Sequence, residues 1–128
     1  RDRLRSRGLG DVYKRQAEVL LDQGVKIAVV TLGKLGAYVR TADGDRIVRG
    51  FKNKAVDATG AGDSFWGGFL YQFSRLSKSP ENITVSEAAE FADFGNAVAS
   101  VCVEHYGAIP AMPTMEQVTE KMKEERQA

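Results

Sequence analysis

Residues 57–71 read DATGAGDSFWGGFLY, from Asp57 to Tyr71. The stretch changes character halfway. Its first half is small and flexible, with Gly60 and Gly62 flanking Ala61. From its second half onward, Phe65, Phe69, Leu70, Phe73 and Leu76 fall at helical spacing, which predicts a helix over Ala61–Leu76. A glycine-rich turn running into a helix has a chemical consequence. The first N–H groups of the helix lack intrahelical partners, and with the helix dipole they form an anion site. Glycines at Gly60 and Gly62 let a ligand approach the backbone closely. Asp63 falls in the first turn of that helix. A carboxylate beside an anion site makes sense if it takes a proton from a hydroxyl attacking phosphorus. Read by themselves, these residues fit equally well a plain turn followed by an acidic residue that favours the helix dipole. No Gly-Lys-Ser/Thr follows, so this is not a Walker loop, and the third glycine is misplaced for a dinucleotide fingerprint.

Upstream, Val25–Leu32 (VKIAVVTL) is a β-branched apolar run, read as a buried strand of a largely parallel sheet. Ala17–Gln23 before it reads as the end of a helix with Gly24 as its C-cap. Ala37–Arg40 and Arg46–Phe51 read as two short strands joined at Asp43-Gly44. Downstream, Ser77–Asn82 is a loop. Thr84 and Glu87 form a capping box for a helix running to about Val103. His105–Pro113 is irregular, and Met115–Glu125 is a charged surface helix. The Gly67-Gly68 pair is expected to let the helix approach the sheet closely. The fold class is α/β.

Residues 1–16, RDRLRSRGLGDVYKRQ, differ from the rest. They hold six basic and two acidic residues, net +4, whereas residues 17–128 hold 12 basic and 15 acidic, net −3. The segment resembles translated adapter sequence and is set apart from the fold as a non-native leader. The overall charge of +1 gives no ground for a nucleic-acid partner. No apolar stretch approaches 18 residues, so no membrane partner is expected. One cysteine, Cys102, in an apolar run, is read as a buried small hydrophobe and fits a reducing, cytoplasmic setting.

DATGAGDSFWGGFLY resembles the C-terminal signature of the ribokinase-like (PfkB) carbohydrate kinases. Three further segments are similar in the same order: Val29–Gly36 (VVTLGKLG), Phe94–Ser100 (FGNAVAS) and Gly107–Pro113 (GAIPAMP). The likeness covers about residues 17–120. It implies a three-layer α/β/α fold with residues 17–128 as its C-terminal, nucleotide-binding part, the sugar-binding half and lid lying outside this chain. It further implies that Asp63 is the catalytic base and that Gly60, Ala61 and Gly62 supply the anion hole. Thr31, Gly33, Gly36 and Asn96 would line the ATP site. Asp57 and Thr59 would help to hold a monovalent cation, potassium in many members. Ala111 stands where some members have a serine ligand, which weakens the case for potassium. ATP, Mg2+ and a sugar are the implied ligands. Overall similarity points to fructose. Ribose, 2-keto-3-deoxygluconate or a nucleoside are alternatives, as is a non-catalytic nucleotide-binding fragment. A homodimer of the full-length protein is left open.

Overall fold

The computed structural model describes residues 2–52, 61–105 and 115–124. Helix α1 covers Asp2–Asp22, strands β1, β2 and β3 cover Ala28–Thr31, Gly36–Thr41 and Gly44–Arg49, and helices α2, α3 and α4 cover Ala61–Leu76, Val85–His105 and Met115–Lys121. Short 3-10 turns occupy Gly33–Leu35 and Pro80–Asn82.

The sheet has the order β1-β2-β3. Alternation along β2 divides its two faces. Ala37 and Val39 pack with Val48, Phe65, Phe69 and the N-terminal half of α3. Tyr38 turns the other way, toward Ala17, Tyr13 and Leu21 of α1. The described elements therefore stack as helix, sheet, helix, the three-layer order expected. The strand pairing differs from expectation. β1 pairs antiparallel with β2, in the register Ala28↔Arg40 to Thr31↔Ala37. β2 pairs antiparallel with β3. The apolar run at Val25–Leu32 correctly marked a strand, but only Ala28–Thr31 is extended, and no parallel pair occurs among the described strands. Apolar composition reports burial of a strand's faces and not the direction of its neighbour.

Local signals placed the element ends well. Gly24 (φ 101°) closes α1, with its N–H donating to Leu21 C=O and the Val25 N–H to Leu20 C=O. This is the double hydrogen bond of a Schellman cap. The helix is continuous through the basic segment that composition had set apart, and the Tyr13 ring lies 6.3 Å from that of Tyr38. The hairpin loop is Ala42-Asp43, one residue earlier than expected, because Gly44 already pairs with Thr41. Cys102 is buried, as read.

The start of α3 joins two distant parts of the chain. Glu87 N–H donates to Thr84 Oγ1 (3.1 Å), and Thr84 N–H donates to Glu87 Oε1 (3.0 Å), completing the capping box. Val85 N–H donates to Asp43 Oδ1 (2.9 Å), so the hairpin tip caps the same helix from 42 residues away. The Thr41 hydroxyl also donates to Asp43. The Gly67-Gly68 pair works differently from the expected helix–sheet contact. A Cβ on Gly68 would lie 2.9 Å from Val98 Cγ2 and 3.0 Å from Gly95 Cα, and one on Gly95 would lie 2.8 Å from Phe65. These glycines let α2 approach α3. Helix α4 is less superficial than its charge suggests. Val118 and Lys121 are buried, and Lys121 Nζ donates to Glu104 and Glu124, both at 2.8 Å.

Two outcomes follow from these contacts. The Thr41 hydroxyl and the Val85 N–H hold the Asp43 carboxyl below the usual carboxylate range. A depressed carboxylate pKa stabilises the fold above its unfolded value, near 4, and that stability disappears as pH falls through the folded value. Asp43→Asn is therefore expected to lower the melting temperature at neutral pH, and the gap to the wild type should close in melts taken progressively below about pH 4. Gly36 (φ 115°) has no room for a side chain, since a Cβ would sit 1.9 Å from Val48 O. Gly36→Ala should cost at least about 2 kcal/mol in urea unfolding.

Candidate active site

The turn between β1 and β2 carries three of the expected ATP-site residues. Thr31 ends β1, exposed and paired with Ala37. Gly33 opens the 3-10 turn with φ 59°, and Leu32 N–H donates to Gly36 C=O (2.8 Å) to close it. Gly36 then enters β2 opposite Arg49. Gly50 N–H donates to Leu35 C=O (3.1 Å), so the turn is bonded to the residue that follows β3. The T-L-G-x-x-G pattern is thus a tight, backbone-closed turn whose tip presents Gly33.

Asn96 reaches the same place from α3. Its side chain is 7% exposed, and its Nδ2 donates to Val48 O (3.1 Å) and Arg49 O (3.3 Å). Both Gly36 and Asn96 therefore bear on the backbone of Val48–Gly50. The structure brings these two expected site residues together across β3.

Helix α2 starts at Ala61, directly after Gly60. Ala61 is half-buried, whereas Gly62 and Asp63 are exposed. A Cβ on Gly62 would meet nothing within 4 Å. The space around position 62 is open among the described residues, and the first N–H groups of α2 have no intrahelical partner. Two residues further on, buried Phe65 packs against Gly95, the neighbour of Asn96. Phe65, Trp66, Phe69 and Phe91 continue this contact as edge-to-face and tilted rings 5.4–6.1 Å apart. The aromatic residues of α2 hold its first turn against α3 at the level of Asn96. This packing is the physical link between the N-terminal end of α2 and the Gly33 turn.

Asp57, Thr59 and Gly60, and the closing loop Gly107–Pro113 with Ala111, lie outside the described residues. The cation ligands expected from the sequence are therefore not placed. Among the described residues no group of three His, Cys, Asp or Glu side chains could hold a metal ion. No described helix is long and apolar enough to cross a membrane. Two features of the described fold were not marked by the sequence. Asp43 was read only as a turn residue, because its partner Val85 is remote in sequence. Ser100, one turn beyond Asn96, is 4% exposed, its buried hydroxyl has no partner among the described residues, and nothing local marked it.

The pfkB family carbohydrate kinase profile matches residues 10–115. A ribokinase of Staphylococcus aureus is 37% identical over 107 residues, which is 84% of this chain and 33% of that protein. Fructokinase-2 of Zea mays is 39% identical over 92 residues, covering 72% of this chain and 27% of that protein. Among solved structures, a fructokinase of Vibrio cholerae O395 in its fructose-, ADP- and calcium-bound form superposes with a TM-score of 0.69 at 31% identity, covering 85% of this chain and 34% of that one. A double mutant of that fructokinase was solved with fructose, ADP and potassium. The chain spans about a third of the length of the proteins it matches.

Removing the Asn96 amide is expected to loosen β3 from α3. Asn96→Ala should cost about 1–2 kcal/mol in urea unfolding. Asn96→Asp should cost more, because it sets a buried carboxylate against two carbonyl oxygens.

Proposed function

Because this chain belongs to the pfkB family of carbohydrate kinases, we propose that it is the C-terminal, nucleotide-binding part of an enzyme that phosphorylates a sugar hydroxyl with ATP. The observation that carries this reading is the start of α2 at Ala61. There Gly62 faces open space and Asp63 stands exposed in the first turn. The γ-phosphate would lie at Gly60, Ala61 and Gly62, whose N–H groups offset the charge that builds on its oxygens. The sugar oxygen would attack phosphorus as its proton passes to the Asp63 carboxylate. The bond from phosphorus to the β,γ-bridging oxygen would break, and ADP would leave. The adenosine part would extend toward the Gly33 turn, with Thr31, Gly36 and Asn96 shaping that side. Mg2+ would neutralise the phosphate oxygens, and a potassium-type ion near Asp57 and Thr59 would steady the turn ahead of α2.

Fructose is the proposed sugar. The likeness of residues 64–73 (SFWGGFLYQF) and 107–113 (GAIPAMP) to bacterial fructokinases supports it, and the fructokinases of Zea mays and Vibrio cholerae stand among the relatives. Ribose is the runner-up, supported by the Staphylococcus aureus ribokinase. The sugar contacts are expected in the part of the protein that this chain does not contain. The chain alone is therefore proposed to bind nucleotide without turning it over, and the working enzyme is proposed to be cytoplasmic.

The test uses the full-length protein. ADP release is measured with fructose and, separately, with ribose. Asp63→Asn is expected to lower kcat by about 10²–10⁴ while leaving the Kd for ATP within about threefold. Wild-type kinetics retained by Asp63→Asn would remove Asp63 from the reaction. A higher kcat/KM with ribose than with fructose would replace the proposed sugar.

A further inference from the structure

A side chain that lines a nucleotide site by contact needs a donor or an acceptor to offer. The Asn96 side chain is 7% exposed. Its Nδ2 carries two hydrogens and donates to two backbone carbonyls, Val48 O (3.1 Å) and Arg49 O (3.3 Å). Its donors are therefore spent inside the fold. The carbonyls it holds have a further neighbour. Val48 O lies 1.9 Å from where a Cβ on Gly36 would stand, with Gly50 N at 2.7 Å and Arg49 C at 2.9 Å. Gly50 N–H donates to Leu35 C=O (3.1 Å), and Leu32 N–H donates to Gly36 C=O (2.8 Å). The backbone of residues 48–50 thus lies as a bar across the base of the turn that presents Gly33, and Asn96 holds the bar from α3.

The residue before Asn96 carries the other side of the site. A Cβ on Gly95 would lie 2.8 Å from Cδ2 and O of Phe65, two residues past Asp63. One turn of α3 therefore gauges both the Gly33 turn and the start of α2. We propose that Asn96 is a positioning residue for the nucleotide, setting the Gly33 turn through the Val48–Gly50 backbone without touching the base. This role rests on the nucleotide-binding reading of that turn. It differs from a contact in what the ligand feels. Adenine could reach Asn96 Oδ1, the acceptor left on the amide, only through its 6-amino group. A contact is lost by a purine that lacks this group, whereas positioning serves both purines alike.

Calorimetric titration of the full-length protein tests it, with Mg2+–ATP and with the triphosphate of purine riboside, which has no 6-amino group. Asn96→Ala is expected to raise the Kd for both nucleotides at least about fivefold, and by factors that agree within about twofold. Hydrogen exchange at the Gly50 amide should become faster in the same variant, because the bar is no longer held. If Asn96→Ala does not fold, Asn96→Ser takes its place in the same comparison. A folded variant with a lowered urea midpoint but unchanged Kd values makes the residue merely structural and overturns the proposal. A loss confined to ATP makes Asn96 a base contact and overturns it too. Both results leave the nucleotide-binding reading standing. A wild type that binds neither nucleotide removes that reading, and the positioning role with it.

Discussion

The fold depends on one two-point attachment. Helix α3 is fixed to the β2–β3 hairpin at the tip, where Asp43 receives the Val85 N–H, and at the base, where the Asn96 amide bridges the carbonyls of Val48 and Arg49. Ten residues of helix, 86–95, separate Val85 from Asn96, and the hairpin runs alongside. Either bond alone would leave a hinge. Together they make the hairpin and α3 a single body. At the base the bond from the Asn96 amide to Val48 is buried, and at the tip the exposed Asp43 carboxylate accepts from the buried Val85, so both attachments satisfy backbone groups that this arrangement brings together.

The candidate site is built outward from that body. Gly36 admits the Val48–Gly50 backbone so closely that even a methyl group would collide, and this brings the Gly33 turn against the base of the hairpin. On the other side, Gly95 and Gly68 let α2 settle on α3, and Phe65 fills the space that side chains there would have taken. The end of α2 that carries Gly62 and Asp63 is consequently held at the level of Asn96. Backbone proximity made possible by glycine, not a set of charged contacts, positions the N-terminal end of α2 relative to the turn. Helix α4 adds a peripheral clamp, through Val118 and the Lys121 ion pair to Glu104 of α3.

The features legible in the sequence were the local ones. Helix α2 has the bounds that its apolar spacing indicated, and the Thr84–Glu87 capping box forms as read, because both depend on neighbours within one turn. What escaped depended on distant partners. Asp43 looked like an ordinary turn residue, since its role needs Val85, 42 residues on. Gly68 was assigned to the sheet although it faces α3, because a glycine pair signals close approach without naming the approaching element. Lys121 looked like surface charge, yet two carboxylates allow it to be buried. The direction of β1 was misjudged for a related reason, as an apolar strand can be buried beside either kind of neighbour. For the site, the pattern of glycines and the position of Asp63 were readable, while the joining of Gly36 to Asn96 through β3 emerged only in three dimensions.

Under the proposed function these packed elements would form a nucleotide platform by themselves, before any sugar is present. Calorimetric titration of the folded 128-residue chain with Mg2+–ATP, without sugar, tests it most directly. The account predicts saturable binding to one site, displaced by ADP and unchanged by adding fructose. A chain shown to be folded by circular dichroism that takes up no ATP at millimolar concentration would contradict it.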